Sequence, residues 1–175
     1  VSEAPNPTGV IVGGVAGGMS AATRLRRLDG SARIIVVERS GHVSFANCGL
    51  PYHVGGVIEK RSALLLQTPA SLGARFGLDV RVHTEATAID AQAQTITLRD
   101  LATGVAEEIT YTALVLSPGA RPVRPPIPGI ERALSLRDIE DTDALVEAVQ
   151  AALPQARGFD DERTEGVKRC VNPPT

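Results

Sequence analysis

The composition of the chain restricts its function before any motif is considered. The chain has 175 residues and a formal net charge of −2; 43% of the residues are hydrophobic, two are Tyr and none is Trp. This length supports one domain with a substantial core. The slight negative charge and the few aromatic rings argue against nucleic acid as the main partner. No apolar run approaches the ~18 residues of a bilayer-spanning helix, so no membrane partner is expected.

Cysteine usage and the first residues indicate the cellular compartment. Cys48 and Cys170 are too far apart in sequence for a disulfide framework or a metal-ligand spacing, and no metal site is expected. The first residues, VSEAPNPT, contain neither the basic nor the apolar region of a secretory signal. We therefore expect a reducing, cytoplasmic location.

The first forty residues predict a βαβ unit. A short apolar strand over Gly9–Gly13 is followed by a helix over Gly17–Leu28, in which apolar residues recur at helical spacing. A second strand over Arg33–Glu38 is rich in β-branched residues, as a buried parallel strand should be. A unit of this size is typical of a nucleotide-binding domain.

The middle of the chain predicts short elements. A helix opens at Asn47–Cys48 and ends near Gly55, Lys60–Thr68 is a loop, and Pro69 occupies the first turn of a helix that runs to Arg75. The following residues alternate apolar and polar side chains and predict a small antiparallel meander. Its four predicted strands are Asp79–His83, Glu85–Asp90, Thr95–Asp100 and Glu107–Tyr111.

The last part of the chain predicts a buried strand, a loop and a helix, followed by a stretch without hydrophobic periodicity. Ala113–Ser117 predicts a buried strand, Arg121–Gly129 a Pro-rich loop and Asp138–Leu153 a helix. Residues 154–175 are polar and show no periodicity, so we expect a disordered or non-native tail.

A glycine-rich loop joins the first strand to the first helix. The sequence Gly-Gly-Val-Ala-Gly-Gly at 13–18 fits G-x-G-x-x-G at Gly13 and Gly18, but Val15 replaces the middle glycine. Such a loop places a diphosphate on the helix N-terminus. Glu38 follows Gly18 by 20 residues, where a carboxylate can accept hydrogen bonds from a ribose. The alternative is a glycine-rich turn in another α/β fold.

Cys48 is the candidate nucleophile. A helix N-terminus favours the thiolate form, and polar Ser44 and Asn47 precede the cysteine. Because no second cysteine follows within two turns, an internal dithiol pair is excluded. Cys48 would instead form a mixed disulfide, a persulfide or a sulfenic acid. The alternative is a small structural cysteine, as most single cysteines are.

The segment Ser-Phe-Ala-Asn-Cys-Gly-Leu-Pro-Tyr-His-Val-Gly-Gly-Val at 44–57 resembles the active-site segment of coenzyme A-disulfide reductases, persulfide reductases and NADH oxidases. The resemblance covers Gly9–Ala152 and includes Ser117–Ala120, Ile127–Ile130 and Leu136–Leu145. The chain is thereby identified as a member of the FAD-dependent pyridine nucleotide-disulfide oxidoreductase family. This implies an α/β fold with a Rossmann-like parallel sheet and a small antiparallel insertion, as an FAD-binding domain over residues 9–153.

The resemblance also implies a reaction, in which NAD(P)H reduces FAD and the electrons pass to a disulfide or persulfide held by Cys48. Coenzyme A disulfide or a persulfide is the implied substrate, with Ser44 and Asn47 near its sulfur. Arg24, Arg27 and Arg75 would bind its phosphates, with Arg61 as a further candidate, whereas Arg26 would be solvent-exposed. NADH oxidase is a less favoured alternative, because oxidase and peroxidase members usually carry a histidine at the position of Ala16.

The remaining FAD contacts follow from the same resemblance. The diphosphate and adenosine would meet the glycine loop and the end of the second strand, Thr87 or Ala88 would hold the adenine through the backbone, and the segment after the returning strand would border the cofactor. The residues implied are Gly13, Gly14, Val15, Ala16, Gly17, Gly18, Glu38, Arg39, Thr87, Ala88, Ser117, Pro118 and Gly119.

Intact members of the family also contain a nicotinamide domain and a C-terminal dimerisation domain. Neither is expected in this chain, so a homodimer is implied only for the intact enzyme. The sequence leaves three readings open: part of a working reductase, a module that binds FAD or coenzyme A without turnover, and a non-functional remnant.

Overall fold

The computed structural model describes residues 7–156, with side chains for 7–152. The described chain forms two compact units. The first unit contains residues 7–45 and 65–120, and the second contains residues 46–64 and 121–156.

The predicted βαβ start of the chain is confirmed in the first unit. Strand β1 spans Thr8–Val12, helix α1 spans Ala16–Leu28 and strand β2 spans Arg33–Val37. Strands β1 and β2 pair in parallel, with Val10 opposite Ile35. The last four residues of β2 are all buried, which explains why both faces of this strand are apolar.

The first strand predicted for the meander belongs to the parallel sheet instead, and that prediction was wrong. Strand β3, Asp79–Arg81, pairs in parallel with β2, and helix α3, Pro69–Phe76, precedes it. Because a parallel edge strand and a meander strand can show the same alternation, periodicity could not separate them. Its Val80 packs with the helix-side core rather than with the meander.

Within residues 7–156, the parallel sheet has four strands and the meander has three. Strand β7, Ala113–Leu116, pairs with β1, which gives the order β3-β2-β1-β7. The antiparallel sheet contains β4, Thr84–Asp90, β5, Thr95–Asp100, and β6, Ala106–Thr110, in that order. The predicted fold class, an α/β fold with a Rossmann-like parallel sheet and an antiparallel insertion, is confirmed.

Aspartates close both hairpins of the meander. The Asp90 carboxylate accepts hydrogen bonds from the N–H groups of Gln92 and Ala93. In the second hairpin the Asp100 carboxylate accepts them from Ala102 and Thr103, and the Thr103 backbone bond is the main cause of a lowered pKa at Asp100. These Asx turns explain why polar breaks separate the strands.

Each face of the parallel sheet carries its own hydrophobic cluster. Ile11, Ile34 and Val36 pack on one face with residues of the helical layer, which are Met19, Ala22 and Leu72. Val10, Ile35 and Val37 pack on the other face with residues of the meander, which are Ile96, Leu98, Ile109 and Tyr111. The first unit is therefore a sheet covered by helices on one side and by the meander on the other.

The cysteine segment, residues 44–57, continues from Ala46 in the second unit. A 3₁₀ turn over Asn47–Gly49 leads directly into helix α2, Leu50–Val54, which confirms the helix predicted to open at Asn47–Cys48. A second 3₁₀ turn spans Arg61–Leu64 within the predicted loop. Helix α4 spans Ile139–Ala156 and so continues past Leu153, whereas residues 157–175 of the predicted tail lie outside the described residues. No helix in the described part of the chain is long and apolar enough to cross a membrane.

The sequence suggested a solvent-exposed side chain for Arg26. In the structure this side chain instead joins α1 to the end of α3. Its guanidinium donates hydrogen bonds to the carbonyl of Phe76 at 2.8 Å, to that of Gly77 at 3.1 Å and to that of Gly30 at 2.7 Å. Helix α3 ends at Gly77 in the left-handed conformation, with φ of 59°. Arg26 thus satisfies carbonyls at a helix C-terminus, where a cation also suits the helix dipole.

Arg26→Ala is expected to lower the free energy of unfolding by about 1–2 kcal/mol, because the carbonyls of Phe76, Gly77 and Gly30, and that of Asp29 at 3.4 Å, lose a charged donor. Arg27→Ala is the matched control, since Arg27 lies next to it on α1 with an exposed side chain. Its effect should stay within ~0.5 kcal/mol. Urea unfolding followed by circular dichroism measures both, and equal effects of the two substitutions would contradict this role for Arg26.

Candidate functional site

The turn from β1 into α1 has no room for side chains at its first and last glycines. Gly13 has φ of +103°, and its N–H donates to the carbonyl of Val37 at 2.8 Å. A Cβ atom on Gly13 would lie 2.1 Å from the carbonyl oxygen of Ser117, and one on Gly18 would lie 1.7 Å from that of Gly13. The strand, the helix and the start of the segment after β7 therefore approach each other through bare backbone.

Gly14 links this turn to Glu38. Its N–H donates to Glu38 Oε2 at 2.8 Å, while Glu38 Oε1 accepts from the N–H and hydroxyl of Ser40 at 2.9 and 3.0 Å. A Cβ on Gly14 would lie 2.7 Å from Val43 Cγ1. The carboxylate is thus held at the end of β2, and its oxygens retain acceptor capacity for hydroxyl donors.

The N-terminus of α1 is open to an anion. Val15 occupies the N-cap position without a side-chain cap, and the first turn of the helix contains no acidic residue. Ala16 and Gly17 are exposed. The first N–H groups of a helix lack intrahelical partners, so this end offers several donors and a positive dipole to a phosphate.

The other predicted cofactor residues lie on β4, in the segment after β7 and in the loop after β2. Arg39 is exposed, with its Nε 3.7 Å from Glu85 Oε1 on β4. Thr87 and Ala88 are exposed on the same strand, at a register shift that leaves Thr87 outside the pairs of the β4–β5 ladder. Ser117 donates through both its N–H and its hydroxyl to the carbonyl of Val12, at 2.8 and 3.0 Å. Pro118 and Gly119, the next two residues, are exposed.

The cysteine segment starts from a constrained residue in the first unit. Ser44 has φ of 49°, its N–H donates to the carbonyl of Gly14 at 2.9 Å, and its carbonyl accepts from Leu66 at 3.2 Å. A non-glycine residue in this region is uncommon and carries strain. The backbone that leads to the cysteine is therefore bonded to the glycine turn.

Cys48 lies in the second unit, at the middle position of the 3₁₀ turn Asn47–Gly49. Both Asn47 and Cys48 are exposed, and Cys48 is a free thiol. The two residues thus lie together at the start of a helical segment, as the sequence predicted, and both are open to solvent. Their redox and binding roles remain predictions.

The predicted substrate arginines have different surroundings. Arg24 and Arg27 are exposed and three residues apart on α1, so they share one side of the helix. Arg75 is exposed and its guanidinium lies 5.1 Å from the centroid of the Phe76 ring. Arg61 forms a bidentate ion pair with Asp143, which raises its pKa. Among the described residues, no group of three His, Cys, Asp or Glu could hold a metal ion.

Sequence reasoning missed the supporting residues around Glu38. Ser40 orients the carboxylate, and Val43 packs against the turn at Gly14. The only available signal was their position between the acid and the cysteine segment. Contacts of this kind depend on loop geometry that periodicity does not describe.

A parallel sheet, an open helix N-terminus and an acid after β2 occur together, and this arrangement defines the Rossmann-like α/β class. The family model of the pyridine nucleotide-disulphide oxidoreductases matches residues 8–157. The chain belongs to this family.

The chain is also similar to individual members of the family. The chain is 40% identical over 147 residues to the coenzyme A disulfide reductase of Staphylococcus aureus strain JH9, a match over 83% of this chain and 33% of that protein. Reduced CoADR-RHD from Bacillus anthracis has a TM-score of 0.80 and 47% identity, with 84% of this chain and 27% of that chain covered. An NAD-dependent persulfide reductase from A. fulgidus has a TM-score of 0.78 and 37% identity, with 82% and 27% covered. The chain spans about a third of the length of its curated relatives.

Gly18→Ala is expected to lower the free energy of unfolding by about 2 kcal/mol or more, because the new methyl group overlaps the Gly13 carbonyl. Gly17→Ala is the control, since its Cβ would meet only ordinary contact, 3.4 Å from Ser117 Cβ. That substitution should leave stability unchanged or slightly raise it, as alanine favours the helix. Thermal unfolding followed by circular dichroism compares them. A Gly18→Ala variant as stable as Gly17→Ala would show that the close approach is not real.

Proposed function

We propose that this chain is the FAD-binding part of a flavin-dependent oxidoreductase that reduces coenzyme A disulfide or a persulfide through Cys48. The observation that supports this most is the glycine turn, in which Gly13, Gly14 and Gly18 leave no space for a Cβ beside an uncapped helix N-terminus. This turn occurs in a chain 40% identical to a coenzyme A disulfide reductase over 147 residues. We take residues 9–153 as the FAD-binding domain, and an intact homodimeric, cytoplasmic enzyme as its context.

The described residues fit an FAD molecule by the chemistry of their donors. The first N–H groups of α1 suit the diphosphate, and Glu38 suits the hydroxyls of the ribose. Arg39 and the bulge at Thr87 provide the edge at which an adenine would be held, and Ser117, Pro118 and Gly119 would border the cofactor. When bound, FAD supplies a two-electron acceptor for hydride from NAD(P)H.

Cys48 supplies the sulfur chemistry. Its thiolate attacks one sulfur of coenzyme A disulfide, the S–S bond breaks, and one coenzyme A thiolate leaves while a Cys48–coenzyme A disulfide forms. Two electrons and a proton then convert this mixed disulfide into the Cys48 thiolate and a second coenzyme A thiol. The single cysteine in the described residues and its exposure suit an external disulfide as the partner.

Positive charge supports a phosphorylated substrate. Arg24 and Arg27 share one side of α1 and carry exposed guanidinium groups, which suit the phosphates of coenzyme A. Ser44 and Asn47 would contact the substrate near its sulfur. A persulfide is the second substrate class, supported by the likeness to a persulfide reductase.

Glu38→Gln is expected to weaken FAD binding about tenfold, ~1.4 kcal/mol, since a neutral amide accepts hydrogen bonds more weakly than a carboxylate. The control is Glu108→Gln, an exposed carboxylate on β6 that should leave the affinity unchanged. Calorimetric titration of the full chain with FAD, carried to millimolar concentration, measures both. Absence of FAD binding by the unaltered chain would contradict the FAD proposal. Equal FAD affinities of the unaltered chain and the Glu38→Gln variant would show that Glu38 does not contact the cofactor.

Coenzyme A disulfide is expected to label Cys48 at least about threefold faster than bis(2-hydroxyethyl) disulfide at equal concentration, because the arginines attract its phosphates. Arg24→Ala together with Arg27→Ala should abolish this preference, whereas Arg99→Ala, an exposed arginine on β5, should not. Mass spectrometry of the full chain locates the mixed disulfide, and a Cys48→Ser variant reports any labelling of Cys170. Equal labelling by the two disulfides would contradict the substrate proposal.

A further inference from the structure

The backbone on both sides of Cys48 contacts Leu64. The N–H of Ala46 donates to the carbonyl of Leu64 at 2.9 Å, and a Cβ on Gly49 would lie 2.9 Å from Leu64 Cδ2. Leu64 is fully buried. Cys48 therefore lies between two residues, Ala46 and Gly49, that both contact Leu64.

Arg61 joins the part of the chain around Leu64 to helix α4. It lies in the same 3₁₀ turn as Leu64, and its Nε and one terminal nitrogen donate to the two carboxylate oxygens of Asp143 at 2.7 and 2.8 Å. Both side chains are about two-fifths exposed. The planar fork of arginine fixes the direction of such a pair, which a lysine at the same place would not do.

Asp143 lies in the well-packed and hydrogen-bonded first turns of α4. Ile139 and Thr142 are fully buried, and the Thr142 hydroxyl donates to the carbonyl of Asp138 at 2.7 Å. The N–H of Asp141 donates to the Asp138 carboxylate at 2.8 Å, which caps the first turn. The ion pair thus attaches a short segment of turns to the well-packed start of a long helix.

We propose that the Arg61–Asp143 ion pair is a positioning device for Cys48. The pair acts through Leu64 and keeps the cysteine segment in one conformation. It thereby sets the selectivity of Cys48 for coenzyme A disulfide. This inference rests on the proposed function for the identity of the disulfide. It also assigns Arg61 a role other than phosphate binding, because the bidentate contact with Asp143 occupies the guanidinium fork.

The test uses the full chain in a Cys170→Ser background. Asp143→Asn should speed amide hydrogen exchange at Ala46 and Gly49 about fivefold, as local opening becomes easier. It should also lower the preference of Cys48 for coenzyme A disulfide over bis(2-hydroxyethyl) disulfide by about threefold. The reversed pair, Arg61→Asp with Asp143→Arg, should restore part of the slow amide exchange and part of the preference for coenzyme A disulfide.

The matched control is Asp79→Asn. Asp79 accepts hydrogen bonds from Arg81, an ion pair of the same type that lies in the other unit, on β3. This variant should change neither the exchange of Ala46 and Gly49 nor the preference of Cys48. If it changed both as much as Asp143→Asn does, general destabilisation would account for the effect and the positioning role would be overturned.

The remaining outcomes separate the two proposals. Unchanged exchange at Ala46 and Gly49 in Asp143→Asn would overturn the positioning role and leave the proposed function intact. Faster exchange with an unchanged disulfide preference would also overturn it. If the unaltered chain shows no preference for coenzyme A disulfide, the proposed substrate fails, while faster exchange in Asp143→Asn would still support a hold on the cysteine segment.

Discussion

The close approach of backbone at the β1–α1 turn is the constraint on which the first unit depends. Gly18 lies over the carbonyl of Gly13, and Gly13 lies over that of Ser117, so a single methyl group at either glycine would separate the strand, the helix and the segment after β7. The same contact brings the uncapped N-terminus of α1 to the edge of the sheet. The packing of the first unit and the position of the candidate anion site thus depend on one steric requirement.

Hydrogen bonds connect this turn to the loop after β2 and to Ser44. Gly14 donates to Glu38 and accepts from Ser44, so one residue joins the acid after β2 to the backbone that leads to Cys48. Ser40 completes the support of the carboxylate. A chain arranged in this way uses few side chains at its candidate cofactor site. Most of the donors are backbone N–H groups, whose positions are set by packing.

The arginines show how one residue type serves different purposes. Arg26 binds carbonyls at the end of α3, Arg61 is paired with Asp143, and Arg24 and Arg27 remain exposed on α1. Their spacing in sequence does not distinguish them. The difference lies in which elements pack beside each one, since a guanidinium binds any acceptor that the fold places within reach.

The sequence by itself determined the βαβ start, the glycine turn, the helical opening at Cys48 and the family, because these depend on local spacing and on motifs. It did not determine that β3 pairs with β2, since alternation is the same in a parallel edge strand and in a meander. Only the tertiary structure decided which groups Arg26, Ser40 and Arg61 contact. Their partners, Phe76, Glu38 and Asp143, are selected by how elements pack in three dimensions, and hydrogen-bond geometry of this kind leaves no periodic pattern in the chain.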